Sequence, residues 1–242
     1  MDEIAGGLVL VGGRILTLDP RRPVVEALAV AGGRVLAAGS RAEVLRRRDR
    51  HTRVIELRGA TVIPGLVDAH AHLDREGLKE IYPSLARCRS IADIQHLISA
   101  QAARRKPGEW IVTMPVGAPP FYQGMPEGLA EKRWPTRVDL DAAAPHHPVY
   151  VRGIWGYWNR PPVHSIANSR ALALAGVGRG TQPPPGVEIV RDAAGEPTGL
   201  FVEHNLIQVL EFTLMRAAPR FTPDDRVRAL RVSQRRYAAR GV

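Results

Sequence analysis

Cysteine is almost absent from this sequence: Cys88 is the single cysteine among 242 residues. One cysteine cannot form a disulfide within the chain, which is typical of a protein in a reducing compartment. No apolar run approaches the roughly 18 residues of a membrane-spanning helix, and the acidic start lacks the basic region of a secretory signal. We therefore expect a cytoplasmic protein with no membrane partner.

Lysine is also scarce, since only three of the 34 basic residues are lysine. The formal net charge of +10 would suit a nucleic-acid-binding protein, but the arginines are spread along the chain among many alanines. The densest run, residues 41–50, is typical of the solvated face of a short helix. We interpret the charge as a composition bias and predict no nucleic-acid partner.

Residues 1–60 have the pattern of short strands separated by glycine turns. Two alternating runs around Gly32-Gly33 predict a β-hairpin, because adjacent glycines allow the positive φ angles of a two-residue turn. A short helix near residues 41–48 and a further strand follow. This pattern predicts a small β-sandwich segment.

From residue 61 onwards, strands and helices alternate, which indicates an α/β layer architecture. Ser90 and Asp93 resemble a capping box that opens a helix over about residues 91–105. The pattern further predicts helices over residues 164–176 and from Thr222 to about Ala239, strands near 109–114 and 148–152, and a hairpin with its turn near Ala194-Gly195.

The stretch TVIPGLVDAHAHL, residues 61–73, places Asp68, His70 and His72 within an apolar run. On a strand, alternate residues share one face, so these three side chains would point the same way. Two imidazoles on one face can bind a common metal ion, and Asp68 could hold a ring N–H from behind. The alternative is an exposed edge strand whose histidines are merely solvated.

Several segments resemble one family of proteins. PGLVDAHAHL resembles the first metal-binding signature of the amidohydrolase superfamily. VHSIANSRALALAGV and PPPGVEIVRDAAGEPTGLFVEHN resemble its amidohydrolase-3 or YtcJ-like branch, which includes N-substituted formamide deformylases. The resemblance implies a metal-dependent hydrolase of non-peptide C–N bonds. It also implies an α/β fold in which residues 61–242 form the N-terminal half of a distorted (β/α)8 barrel, preceded by the β-sandwich segment of residues 1–60.

The resemblance also implies roles for individual side chains and a divalent metal cofactor, with zinc the best match to histidine and carboxylate ligands. The metal ligands would be His70, His72 and Glu203, with Asp68 supporting them and with His164 and Asn168 near the substrate. From the residues alone, Glu203 could equally be an acid at a helix N-terminus, and Asn168 a polar residue on a helix. His164 departs from the branch pattern, in which Asp-Gly usually precedes the histidine, because it follows Pro162-Val163.

The same resemblance implies two further histidines and a catalytic aspartate on later barrel strands. No second DxHxH-like strand is present in this sequence, so we expect a C-terminally truncated chain whose catalytic aspartate lies beyond Val242. The alternative is a non-catalytic remnant, or half of a split hydrolase that acts by association with a complementary chain. The remaining expected partners are a small-molecule substrate and a second copy of the chain in a homo-oligomer.

Aromatic residues make up 5% of the chain, and three of them lie close together in sequence. Trp155, Tyr157 and Trp158 could line an apolar substrate cleft or simply cover a core. Cys88 has no histidine nearby in the sequence, and we expect an unreactive thiol.

Overall fold

The computed structural model describes residues 7–119, 121–153, 161–207 and 209–242. The chain divides into two compact units, residues 1–70 with 237–242 and residues 71–236. Each unit contains one mixed β-sheet. Among the described residues, no helix combines the length and apolar character needed to cross a membrane.

The sheet of the first unit has the order β3-β2-β1-β4, with β5 also paired to β1. Its strands are β1 Leu8–Leu16, β2 Val24–Ala31, β3 Arg34–Gly39, β4 Arg53–Glu56 and β5 Thr61–Val62. The predicted hairpin is confirmed, because β2 and β3 are antiparallel and both glycines of the Gly32-Gly33 turn have positive φ. Helix α1, Arg41–Leu45, buries Val44 against this sheet and completes the apolar core of the unit.

The sheet of the second unit has the order β6-β7-β8-β10-β9. Its strands are β6 Ile111–Thr113, β7 Val149–Val151, β8 Val163–Ala167, β9 Val187–Arg191 and β10 Pro197–Glu203. Strands β6 and β7 are parallel, and the other three neighbouring pairs are antiparallel. The helices after residue 70 are α2 Leu73–Leu78, α3 Ile91–Ala102, α4 Arg137–Ala143, α5 Ser169–Ala175 and α6 Pro223–Ala238, with a short 3-10 helix at Leu210–Phe212.

Both faces of this second sheet are buried. Because side chains alternate along a strand, Val151 and Ile166 point into a cluster with residues of α3 and α4. Tyr150 and Phe201 point into the opposite cluster, which includes residues of α5 and Leu210. This two-sided burial explains the continuous run of apolar and aromatic side chains in β7, and the α/β class predicted from the sequence is confirmed.

Local capping signals correctly predicted the starts of α3 and α6 and the end of α5. Ser90 Oγ accepts a hydrogen bond from the Asp93 N–H at 3.1 Å, and Asp93 Oδ2 accepts one from the Ser90 N–H at 3.1 Å. Helix α5 ends at Gly176, whose φ of 68° is readily adopted by glycine. Thr222 Oγ1 caps α6 by accepting from the Asp225 N–H at 3.1 Å.

The strand predicted for residues 61–73 is wrong beyond its first two residues. Strand β5 ends at Val62, and the segment up to His72 has no helix or strand. Pro64 lacks a backbone donor, and Asp68 Oδ1 accepts from the His70 N–H at 3.0 Å, a local turn that competes with strand pairing. The apolar side chains of the segment are exposed, and Val67 reaches 91% exposure.

The helix predicted over residues 164–176 is wrong at its start, since β8 extends to Ala167 and α5 begins at Ser169. Backbone pairing with β7 and β10 keeps this part of the chain extended. Asn168 marks the change, because its side chain caps the helix.

The finer architecture predicted from the resemblance is not confirmed. The described strands form two mixed sheets, whereas a (β/α)8 barrel has parallel strands throughout and a sandwich stacks two sheets face to face. Each of the two sheets contains both parallel and antiparallel strand pairs.

Candidate functional site

The segment that contains the predicted histidine ligands is exposed. Asp68 and His70 lie in the irregular stretch after β5, and His72 immediately precedes α2. The carboxylate of Asp68 binds the backbone N–H of His70, which is a different contact from the ring N–H predicted for it. The division between the two compact units falls between His70 and Ala71, so His70 belongs to the first unit and His72 to the second.

Glu203 lies in the opposite kind of environment, at the buried end of β10. Only 1% of the surface of Glu203 is exposed. Oε1 accepts hydrogen bonds from the backbone N–H groups of Val209 and, at 3.4 Å, Leu210. Oε2 is buried and makes no hydrogen bond of normal geometry within the described ranges. Burial raises the pKa of the carboxyl, and this outweighs the Val209 and Leu210 amides and the nearby Asn205 side chain, which lower it.

A buried carboxylate with one unsatisfied oxygen fits a cation, because an unpaired buried acceptor is otherwise costly. Glu203 is therefore a chemically suitable ligand for the divalent metal that the resemblance implies. The described parts of the chain nevertheless contain no group of three or more histidine, cysteine, aspartate or glutamate side chains that could hold a metal ion. Among the described residues, the fit to a metal site therefore consists of one carboxylate, that of Glu203, without further ligands gathered around it.

His164 lies on β8 and stacks on the ring of Trp134, with centroids 4.3 Å apart and planes tilted by 20°. Burial lowers the pKa of its imidazole, and the nearby His204 lowers it further. The ring therefore favours the neutral form. His164 lines a cavity of about 210 Å³ together with Tyr122, Met125 and Trp134, and the walls of this cavity are polar and apolar in similar measure.

The structure does not bring His164 and Glu203 together. In the pairing of β8 with β10, Val202 lies opposite His164 and Glu203 lies opposite Val163. Neighbouring residues on a strand point to opposite faces, so these two side chains lie on opposite sides of the sheet. A single pocket on one face of the sheet cannot contain both.

Asn168 is fully buried and is held by three hydrogen bonds. Its Oδ1 accepts from the N–H groups of Val149 at 2.9 Å and Ala171 at 3.0 Å, and its Nδ2 donates to the carbonyl of His147 at 2.9 Å. These contacts join the start of β7 to the first turn of α5. They explain Asn168 as a structural cap, and its predicted contact with substrate stays a prediction.

A wider cavity of about 860 Å³ lies in the second unit and contains none of the predicted site residues. Its charged side chains are largely paired with each other, in three ion pairs: Lys79 with Glu76 at 2.9 Å, Arg228 with Asp225, and Arg236 with Glu80. Because neighbouring charges already neutralise one another there, its size does not by itself identify a binding site.

Sequence reasoning missed Arg152 and Glu211, which form a buried ion pair beside Glu203. Arg152 directly follows the apolar run of β7, and a charge at the end of a buried strand is a signal that could have identified it. Glu211 has no comparable signal.

Two further predictions concern the aromatic cluster and the cysteine. The cluster of Trp155, Tyr157 and Trp158 lies outside the described residues. Cys88 is buried, and burial raises the pKa of its thiol.

Two solved structures described as uncharacterized metal-dependent hydrolases share the fold of this chain. The one from Pyrococcus furiosus aligns with a TM-score of 0.60 and 22% identity, over 98% of this chain and 43% of that chain. The one from Pyrococcus horikoshii OT3 aligns with a TM-score of 0.57 and 21% identity, over 98% of this chain and 41% of that chain. At this level of identity the likeness defines the fold class alone.

Sequence comparison defines the family. The Amidohydro_3 model of the amidohydrolase family matches residues 53–242, and the chain belongs to that family, as its motifs predicted. It is 30% identical over 202 residues to an N-substituted formamide deformylase from Arthrobacter pascens, and 32% identical over 195 residues to the putative amidohydrolase YtcJ from Bacillus subtilis (strain 168). These matches cover 81% and 79% of this chain but only 34% of each relative.

Proposed function

We propose that the protein is a metal-dependent hydrolase that cleaves a non-peptide, amide-type C–N bond of a small molecule. The observation that carries this proposal is the family match over residues 53–242. A relative named for formamide deformylation supports the bond type. The matches cover 34% of each of these two relatives, so the activity of the whole protein is a proposal.

The proposed metal ligands are His70, His72 and Glu203, with Asp68 in a supporting position. Neutral imidazoles and carboxylates suit zinc best among the common divalent ions. When bound, such a metal supplies a water of lowered pKa as the nucleophile. Of the three, Glu203 has the strongest physical support, because its Oε2 is buried and lacks a hydrogen-bond partner among the described residues.

Substrate contact is proposed for His164 in its neutral form, as a contact separate from the metal, because His164 and Glu203 lie on opposite faces of the sheet. Its cavity of about 210 Å³ has room for a small substituent, and Trp134 stacks on the imidazole ring. Asn168 would then support this region indirectly, since its hydrogen bonds connect the start of β7 to the first turn of α5. No residue among those described is assigned as the catalytic acid or base.

The test combines metal analysis with hydrolysis in the full-length natural protein. We expect about one or two divalent ions per chain and release of the acid and the amine from an N-substituted formamide used as the probe. Removal of the metal with a chelator should abolish turnover, and zinc should restore it. A protein that binds no divalent metal and hydrolyses none of a panel of amides would overturn the proposal.

A second candidate, a non-catalytic or split hydrolase that needs a complementary chain, is favoured by one observation. The described residues contain no metal-binding group of three or more candidate ligands. In that case, metal binding and hydrolysis would appear only after a second polypeptide is added. Activity of the protein purified alone would exclude this candidate.

A further inference from the structure

Arg152 and Glu211 form an ion pair inside the second unit. Arg152 Nε donates to Glu211 Oε1 at 2.6 Å, and Arg152 Nη2 donates to Glu211 Oε2 at 3.1 Å. Arg152 is 1% exposed. The pair is bidentate, a geometry in which a guanidinium fixes both the position and the orientation of a carboxylate.

The surroundings of Arg152 hold its guanidinium in place. The group lies over the rings of Tyr82 and Phe221, 5.2 Å and 4.5 Å from their centroids, and Nη2 also donates to the carbonyl of Pro219 at 3.3 Å. Its Nη1 is buried without a hydrogen-bond partner in the described part of the chain. A buried pair with an unsatisfied donor adds little net stability, so stability alone is a poor explanation for it.

What the pair holds is the short 3-10 helix Leu210–Phe212, which contains Glu211. The N–H groups at the start of this helix, those of Val209 and Leu210, are the two donors to Glu203 Oε1. Two contacts therefore connect Arg152 to Glu203: the ion pair with Glu211, and the backbone amides next to it. Because Oε1 is taken up by these amides, Oε2 is the oxygen left for another partner.

We propose that Arg152 is a positioning residue for Glu203. Through Glu211 it fixes the turn that binds Oε1, and it thereby holds Oε2 in place as a ligand for a divalent cation. This inference rests on the proposed function, since it assumes that Glu203 binds metal. It adds a supporting chain of contacts from β7 to the end of β10.

The test uses Glu211→Gln and Arg152→Lys in the full-length natural protein, with zinc as the probe. Gln keeps the size of the Glu211 side chain but removes its charge. Lys keeps the charge of Arg152 but cannot form the bidentate contact. We expect each variant to bind zinc about 10–100-fold more weakly, as is typical when a residue that orients a ligand is lost. In the metal-free protein we also expect faster hydrogen exchange at the amides of Val209 and Leu210.

Two controls separate positioning from general loss of stability. Arg179→Lys makes the same exchange in an exposed pair, in which Arg179 Nε lies 2.9 Å from Glu196, and should change neither measurement. Ile189→Val removes one methyl group from the apolar cluster beside β10. It should lower the urea midpoint of unfolding, because the cluster loses apolar contacts, without a matching loss of zinc affinity.

A double-mutant cycle tests the route of the effect. In a Glu203→Gln background the proposed ligand is already lost, so Glu211→Gln should weaken zinc binding no further. Independent, additive losses would overturn the inference, as would full zinc affinity in Glu203→Gln or unchanged exchange at Val209 and Leu210. If both pair variants fail to fold, the pair serves stability and the inference is wrong. A wild-type protein that binds no zinc or other divalent metal overturns the proposed function itself and removes the metal part of this inference.

Discussion

The two regions that contain the proposed metal ligands differ in almost every physical respect. The segment from Asp68 to His72 is irregular and largely exposed, and Asp68 Oδ1 accepts a hydrogen bond from the His70 N–H within it. Glu203 is buried at the end of a central strand, with Oε1 bound by two backbone amides. The first region has a recognisable metal-ligand motif on an irregular segment. The second has no recognisable motif, but its carboxylate is held at a fixed position by the fold.

This difference has an energetic consequence. Ordering an exposed segment on metal binding costs conformational entropy, whereas the position of Glu203 is fixed before any ligand arrives. Preorganisation of that kind has its own cost, because an unsatisfied buried oxygen destabilises the metal-free fold. Substitutions should therefore affect metal binding in both regions but affect folding mainly in the second.

The largest expected effect is that of His70→Ala on metal binding. In the full-length natural protein we expect a loss beyond the roughly 10–100-fold typical of a supporting residue, with hydrolysis lost in parallel. The free energy of unfolding of the metal-free protein should change by less than about 0.5 kcal/mol, because the side chain is exposed. Metal analysis, amide hydrolysis and urea unfolding measure the three quantities. The control is His51→Ala, another exposed histidine of the first unit, and equal metal content in both variants would contradict the assignment of His70.

Glu203→Gln should weaken metal binding and stabilise the metal-free protein. Burial raises the pKa of Glu203 above its ordinary value of 4.5, so the folded state binds this proton more tightly than the unfolded chain does. Its contribution to stability is then greatest below pH 4.5 and is lost as the pH rises through the folded-state pKa. At neutral pH the neutral amide should gain about 1 kcal/mol over the buried carboxylate.

The pH dependence of this gain provides the check. Urea unfolding of metal-free wild type and Glu203→Gln should give nearly equal stabilities near pH 4 and a widening difference towards pH 7. Glu188→Gln, on the exposed side of neighbouring β9, should show no such divergence. A Glu203→Gln variant that is less stable at every pH would mean that the carboxylate is well satisfied in the folded protein.

Asn168→Ala should lower stability by about 1–3 kcal/mol, because it leaves buried backbone N–H groups without their acceptor. Asn168→Asp keeps an acceptor oxygen and should recover part of this loss. If Asn168 acts only as a cap, KM for the amide substrate should stay near the wild-type value in both variants at temperatures where they are folded. A large rise in KM with unchanged stability would instead support the predicted contact with substrate.

Features fixed by nearby residues could be predicted from the sequence. The Gly32-Gly33 turn, the Ser90 and Asp93 capping box and the Gly176 helix end each depend on backbone geometry within a few residues, and the structure has all three. The histidine motif also identified the family, because a family signature is a pattern of residue types and does not depend on the local fold.

Features that depend on distant partners could not be predicted. Arg152 and Glu211 are 59 residues apart, and no periodicity connects them. The conformation of residues 61–73 was predicted wrongly for a related reason: an apolar alternating run forms a strand only where a neighbouring strand pairs with it. Beyond Val62 no described strand pairs with this segment, and Pro64 and the Asp68 turn determine its local structure.

The smallest expected effect is that of Val67→Ser on stability, and it tests whether residues 61–73 form an exposed segment without strand structure. Val67 is 91% exposed, whereas Val149 on β7 is fully buried. In this 242-residue chain, Val67→Ser should change the free energy of unfolding by less than about 0.5 kcal/mol. Val149→Ser should cost more than about 2 kcal/mol, since it removes buried apolar contacts and buries a hydroxyl. If the two valines proved equally costly to replace, residues 61–73 would be a buried strand after all, and the contrast between the exposed histidine segment and the buried carboxylate would disappear.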